Sequence, residues 1–357
     1  DADSEGVEGK FYVWTKEEVD DVLGDGAKLF SEYYNITDAG NWEHGNSILL
    51  RNKKDETVAQ DFKLSVDELK VKIDAAKEKL LHIRSARIKP GLDDKILSSW
   101  NALMITGYAK AYRVFNEDRF LDAAISCAGF LLQNTIAANR EMKRNYKNGI
   151  ASINALLDDY AFTIAAFTEL YQATFDEKWL TESDKLMQYV LAHFFDDESK
   201  MFFYTHNQYA DLIVRKMELS DNVIPSSNSE MAKNLFLLGH FLNKDNYISM
   251  AEQMLVNVEA DVQRNIYFYA NWGILQALFT SPLYEVAILG DDFKKIRQEL
   301  DTYYLPNVIL LGGKAEGNLA LLKHKLLPGQ TAIYVCRDKT CDMPVHETEE
   351  ALKQIGN

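Results

Sequence analysis

The pattern of apolar and polar positions divides the chain into three stretches. Residues 1–92 alternate short apolar runs with charged ones and predict a mixed segment, expected to belong to the same helical toroid as the residues that follow. Phe11-Tyr12-Val13-Trp14 reads as a short β-like run. Thr15 with Glu18 three positions on is a capping box, opening a short helix that reaches Leu23 and stops at Gly24. A second short helix is expected over 25–34, a turn-rich polar loop over Asn41–Asn46, and a strand over Ser47–Leu50. Ser65 and Glu68 form another capping box. It heads a long charged helix to Ile88, whose apolar stripe is Leu69, Ile73, Ala76, Leu80 and Ile83.

Residues 93–281 repeat an architecture rather than a string of letters. Helical patterns pair as 98–116 with 118–138, 156–174 with 177–195, and 226–243 with 245–262, and a further helix follows at about 269–280. Tight polar connections join each pair: Asn116-Glu117-Asp118, Phe175-Asp176-Glu177 and Asn243-Lys244-Asp245. The first helix of each pair is apolar nearly all round, as in Ala161-Phe162-Thr163-Ile164-Ala165-Ala166-Phe167, and the second is amphipathic. A helix greasy on every face is buried on every face, so first helices are inner and second helices outer. A spacing of about 60 residues is long for the common solenoids and fits a closed toroid of helical hairpins. In such a ring the inner helices run parallel and open their N-termini on one face.

From Pro282 the texture changes to strands alternating with helices. Strands are expected at 286–289, 308–311 and 332–336, helices at 291–303, 319–326 and 347–355. This pattern over 282–357 predicts a small α/β subdomain around a parallel sheet.

Composition narrows the partners. With 39 Lys+Arg against 54 Asp+Glu the formal net charge is −15, and a chain this acidic lacks the basic footprint that nucleic acid or an anionic membrane requires. No apolar run approaches the ~20 residues of a membrane span. Asp1–Gly9 is polar and carries no signal peptide, so a cytoplasmic protein is expected. The three cysteines are too few for a disulfide scaffold. Cys336 and Cys341 are expected to be reduced structural thiols. With His346 they come one ligand short of a zinc site, and no cofactor or metal is expected.

Candidate chemistry gathers before the inner helices: Asp93-Asp94-Lys95, Asp158-Asp159-Tyr160, Asp221 with Ser226-Ser227-Asn228, and Tyr269-Ala270-Asn271-Trp272. Asp, Ser and Asn are also the preferred N-caps, and acids in the first turn suit the helix dipole. A cap needs one acid, whereas two of these segments carry a doubled one. Asp93, Asp94, Asp158 and Asp159 are therefore the candidate catalytic carboxylates, since acid and base at a glycosidic bond require a pair. Trp100, Tyr160 and Trp272 are candidate stacking surfaces, and Asn101, Ser227, Asn228 and Asn271 candidate hydroxyl-binding groups. His44, with Trp42 and Glu43 in the polar loop, is the leading histidine, followed by His206; His240 lies among leucines and reads as structural.

Several ordered segments resemble one family: Asp1-Ala-Asp-Ser-Glu-Gly6, Phe11-Tyr-Val-Trp14, Gly40-Asn-Trp-Glu43, Asp93-Asp-Lys95 with Trp100-Asn101, Leu157-Asp-Asp-Tyr-Ala161, Ser226-Ser-Asn-Ser229, and Tyr334-Val-Cys-Arg337 with Cys341. They resemble the thioredoxin-domain-containing DUF255 proteins, relatives of spermatogenesis-associated protein 20, over essentially the whole chain. The resemblance implies a mainly α fold, an (α/α)6 toroid of the six-hairpin glycosidase type, similar to N-acylglucosamine 2-epimerase and cellobiose epimerase barrels. Members of that family carry a thioredoxin-like domain and the first hairpins ahead of the Asp-Ala-Asp-Ser-Glu-Gly segment. The toroid is thus expected to be incomplete in this chain, with an N-terminal portion or a partner chain closing the ring. Two functions stand open. One is a sugar-binding or carbohydrate-active toroid, by hydrolysis or by isomerisation or epimerisation; the other is a non-catalytic scaffold for a redox domain outside the chain.

Overall fold

The structure, a computed structural model, describes residues 2–208 and 214–356. Two compact units form, 1–94 and 95–357.

In the first unit, β1 (Asp3–Ser4) and β2 (Val7–Glu8) make a small hairpin. Both expected capping boxes are present: Thr15 opens α1 (Lys16–Leu23), and Ser65 opens α4 (Val66–Ser85). Between them lie α2 (Ala27–Tyr34) and α3 (Asp55–Asp61). Trp14, Val19, Phe30, Val58, Leu69, Ile73 and Leu80 pack into a core of their own. The expected strands at 11–14 and 47–50 shrink to a single bridge between Trp14 and Ser47. The reason is Arg87, which donates to the carbonyls of Phe11 at 3.2 Å and Val13 at 2.7 Å and satisfies groups that a ladder would have used. The Asn41–Asn46 loop closes through Asn46 O, which accepts the Asn41 and Trp42 amides. Gly40 is required there: it sits at φ +74, and a Cβ would meet Asn46 O at 2.3 Å.

The second unit starts with β3 (Ile96–Leu97) and then builds hairpins. The pairs are α5 (Ser98–Phe115) with α6 (Asp118–Asn134), α7 (Leu157–Thr174) with α8 (Lys178–His193), and α9 (Ser227–Leu242) with α10 (Asp245–Arg264); α11 (Ala270–Thr280) follows. Asn116, Phe175 and Asn243 adopt the left-handed conformation that ends α5, α7 and α9 and turns the chain back. The inner helices are parallel. Ser99 at the head of α5 meets Asp159 at the head of α7, and Arg113 at the foot of α5 meets Glu169 at the foot of α7. The head of α11 meets the head of α9 in the same way, where Asn271 bonds Ser229 and Glu230. This is the hairpin arrangement of an (α/α)6 toroid, of which the described residues supply three hairpins and one further helix.

Two short hairpins interrupt the helices. β4 (Lys143–Lys147) and β5 (Ile150–Asn154) pair across Asn148-Gly149, and β6 (Phe195–Asp196) pairs with β7 (Met201–Phe202). At the C-terminal end, β8 (Tyr284–Leu289), α12 (Phe293–Leu300), β9 (Val308–Gly313), β10 (Ala332–Arg337), β11 (Thr340–Cys341) and α13 (Thr348–Ile355) form the α/β part. Its sheet, ordered β11-β10-β8-β9, is mixed rather than parallel: β8 and β9 are parallel, and β10 runs antiparallel to β8 and β11. The helix expected at 319–326 is only a 3-10 turn, Ala320–Leu322, so no crossover helix returns the chain for a third parallel strand. Phe167 and Leu235 of the hairpins share one core with Val286, Leu311 and Ile333 of the sheet.

A buried ionic cluster joins the sheet layer to the feet of the inner helices. Asp301, just after α12, accepts from Arg113 of α5 at 2.8 Å and pairs with the fully buried Arg297, which also reaches the Tyr112 hydroxyl at 3.1 Å. Removing one partner of such a cluster strands an uncompensated charge. Asp301→Ala is expected to destabilise the unit by about 3–5 kcal/mol, measured by urea unfolding of the full-length protein. A loss within experimental error would show that water reaches Arg297.

Candidate functional site at the heads of the inner helices

Asp158 and Asp159 open α7, where the first amides lack intrahelical partners. Asp159 is fully buried, and its oxygens accept the Leu156 amide at 3.0 Å, the Ser99 amide at 3.0 Å and Arg144 Nη1 at 2.9 Å. Asp158 keeps 5% of its surface and accepts from the same Nη1 at 2.9 Å. Both acids cap: Asp158 Oδ1 accepts the Asp159 amide at 3.0 Å, while Asp159 takes the Leu156 amide and clamps the head of the preceding inner helix through Ser99. Asp158 is only slightly the less buried of the two. Burial, and then the Asp158 charge, push the Asp159 carboxyl up to about 6, with Arg144 opposing.

Arg144 comes from β4, and this hairpin was not foreseen. The signal was present: Asn148-Gly149 between two strand-like runs is the composition of a tight hairpin turn, and both residues have positive φ. Tyr204 and Glu218 also belong to the site. The Tyr204 carbonyl accepts the Leu157 amide at 3.0 Å, which seats the residue at the head of α7. Its phenol is pushed up by burial first and by Asp158 next, with Arg144 opposing and Glu218 and Asp159 adding. Exposed Glu218 receives the Ser227 amide of α9 at 3.0 Å. The flanking sequence carries no motif that would have marked either residue.

The remaining candidates fall into three groups. Trp100, on the first turn of α5, is 63% exposed, and Asn101 beside it donates to Leu97 O at 2.8 Å. Others serve as packing and clamps. Tyr160 is buried and its hydroxyl accepts the Met142 amide at 2.8 Å. Trp272 is buried with its indole N–H on Leu219 O at 2.8 Å. Neither offers an open ring face, which corrects their expected role as stacking surfaces. Asn228 spends its amide on both backbone groups of Phe202, at 2.8 and 2.9 Å. Asn271 bonds Asp221, Ser229, Glu230 and Lys233. Ser227 Oγ is buried with no hydrogen-bond partner among the described residues. The third group lies in the first unit. There Trp42, Glu43 and His44 line a cleft of about 610 Å³ with Phe11, Glu8 and Arg87. Asp93 and Asp94 are exposed at that unit's end.

His206 is buried, its Nε2 3.1 Å from the Tyr189 hydroxyl and its Nδ1 accepting the Gln208 amide. His240 Nδ1 meets Glu285 at 3.1 Å. Cys336 and Cys341 form a disulfide rather than the expected free thiols, because the β10–β11 hairpin sets them directly opposite in register. No helix among the described residues is long and apolar enough to cross a membrane.

No protein-family profile matches the chain. It is 30% identical to an uncharacterized protein of Caenorhabditis elegans over 98% of its own length and 52% of the relative's. It is 26% identical to human spermatogenesis-associated protein 20 over 98% of its own length and 49% of the relative's. The chain therefore spans about half the length of the curated relatives it matches. Among solved structures, the GH76 α-mannanase BT2949 of Bacteroides thetaiotaomicron aligns with a TM-score of 0.44 at 14% identity, over 68% of this chain and 70% of that one.

The raised Asp159 carboxyl has a definite consequence for stability. From about pH 4, where the unfolded carboxyl ionises, to about 6, the folded state holds a proton that the unfolded state has released. This group's contribution therefore falls as pH rises through that window and is level above it. In urea titrations of the full-length protein, the unfolding free energy of Asp159→Asn relative to the parent is expected to grow across the window. The gain should reach up to about 3 kcal/mol. A flat difference, or one of opposite sign, would mean that Arg144 outweighs burial.

Proposed function

We propose that the heads of the inner helices form the carbohydrate-active mouth of the toroid, and that the reaction is acid–base chemistry at a sugar, with glycoside hydrolysis favoured. The observation that carries this is the Asp158–Asp159 pair on one guanidinium, with Tyr204 and Glu218 around it. Asp158, the less buried acid of that pair at 5% exposure, is the group assigned to a sugar oxygen. Glu218 is the second carboxylate, supplied by a different segment, and hydrolysis requires two. Asp159 stays behind as the buried partner that sets the charge of the pair, Arg144 holds both, and exposed Trp100 offers a ring face to a sugar. No histidine pair stands among these residues, which leaves epimerisation the weaker of the two chemistries.

The ring itself is completed, in this reading, by the rest of a longer protein. Below Trp100, Met104, Val114 and Phe115 leave an exposed apolar row along α5, where a further hairpin would pack. The motif order quoted above supports placing that longer protein in the DUF255 family, with a thioredoxin-like domain ahead of this segment. A scaffold without chemistry is the second reading. It is favoured by the completeness with which Asp159 is already satisfied by Leu156, Ser99 and Arg144.

Calorimetry of the full-length protein against mono- and disaccharides separates the two. Binding at millimolar sugar is expected, and turnover of a bound glycoside should fall about 10²–10⁴-fold in Asp158→Asn and in Glu218→Gln, with smaller changes in affinity. Absence of binding across the panel would leave the scaffold. Binding with turnover unchanged in both variants would remove the acid–base assignment.

A further inference from the structure

The disulfide lies in a row of reactive groups on one face of the sheet. Cys336 of β10 stands opposite Cys341 on one side and opposite Glu285 of β8 on the other. Directly opposed residues of antiparallel strands point to the same face, so Glu285, Cys336 and Cys341 stand side by side. Lys325 reaches into the row, its Nζ donating to Cys336 Sγ at 3.5 Å. Cys336 is buried, while Cys341, on the edge strand β11, is partly open. Glu285 is 5% exposed, and its Oε1 meets His240 Nδ1. Its Oε2 is buried with no hydrogen-bond partner among the described residues. A sheet with no task beyond packing gains nothing from a buried carboxylate with a bare oxygen beside a lysine and a disulfide.

We propose that Cys336–Cys341 is a dithiol–disulfide exchange site, with Cys341 the sulfur attacked, Lys325 the stabiliser of the departing Cys336 thiolate, and a dithiol the co-substrate. One thiolate of the dithiol attacks the accessible Cys341 Sγ. A bond forms between those sulfurs, the Cys336–Cys341 bond breaks, and its electron pair leaves on Cys336 as a thiolate facing the Lys325 ammonium. The second thiolate of the dithiol then attacks its own partner sulfur in the mixed disulfide, which releases Cys341 as a thiolate. Both protein thiolates take up the two protons that the dithiol lost. The dithiol is oxidised to a disulfide and the protein is reduced to two thiols. The cation next to Cys336 favours this direction of cleavage, since a stabilised thiolate leaves faster. Glu285 keeps Lys325 charged against the burial that lowers its proton affinity.

The test uses the folded full-length protein. It is reduced with dithiothreitol, quenched with an alkylating reagent at intervals, and read at the Cys336 and Cys341 peptides by mass spectrometry. The pair is expected to be reduced without unfolding and reoxidised by oxidised dithiothreitol. Lys325→Met should slow reduction about tenfold, and Lys325→Arg should return it to within about twofold of the parent. A structural role alone would lower the melting temperature of Lys325→Met and leave the reduction rate unchanged, which would overturn the proposal. Resistance of the native disulfide until the protein unfolds would overturn it independently of any variant, as would thiols that oxidised dithiothreitol cannot join.

Discussion

The second unit depends on one buried carboxylate. Asp159 takes the Leu156 amide of its own helix, the Ser99 amide of the neighbouring helix and the guanidinium of Arg144 from a hairpin. Three separate pieces of chain are therefore held to a common level by one side chain. Buried amides at helix heads must find acceptors. Two parallel helices placing their heads together double that demand, and an acid meets it better than a neutral cap because both helix dipoles favour negative charge there. The same requirement recurs between α9 and α11, where Asp221 accepts the Ser226 and Asn271 amides at 2.8 Å each. Parallel inner helices and buried acids at their heads are thus one constraint seen twice.

That constraint gives both doubled acids a structural task. Once Asp159 is committed to the clamp, Arg144 is required to offset its charge. An arginine placed there also orders a second, nearly buried carboxylate, Asp158. The polar head of α7 is a by-product of holding α5 and α7 in register. Tyr204 is seated by the Leu157 amide and Glu218 by the Ser227 amide, so each surrounding group is likewise anchored by a helix-head amide. The capping demand assembles the groups at the heads of these helices.

Helices were legible in the sequence because their causes are local. The pairs Thr15–Glu18 and Ser65–Glu68 and the apolar run of 161–167 each announce a start or a buried face within a few residues. Strand pairing was less legible, since its causes are remote. The 11–14 run failed as a strand because Arg87, more than seventy residues on, took its carbonyls. The third strand of the sheet ran antiparallel because the stretch before it formed one 3-10 turn where a helix was expected. In the site, the acids were visible and their counterion was not, although Asn148-Gly149 marked the hairpin that delivers it. Trp272 and Tyr160 are not distinguishable as core from sequence, because an aromatic at a helix head looks the same whether it faces a ligand or the core. Only the Leu219 carbonyl and the Met142 amide distinguish the two.

The disulfide is illegible in the sequence for a related reason. A Cys-x4-Cys spacing carries no meaning until a hairpin folds between the two residues; Asp338 and Lys339 at positive φ then set the thiols opposite each other. The same register that closes the disulfide puts Glu285 on its other side, so the hairpin and the β8–β10 pairing together build a row that neither segment contains alone. β11 is an edge strand with one free side, and edges of sheets are where an incoming chain can approach. The attacked sulfur is on that edge, and the departing sulfur lies one strand inward beside a cation. An arrangement intended only to staple the hairpin would have no need of that polarity, whereas directional exchange depends on it.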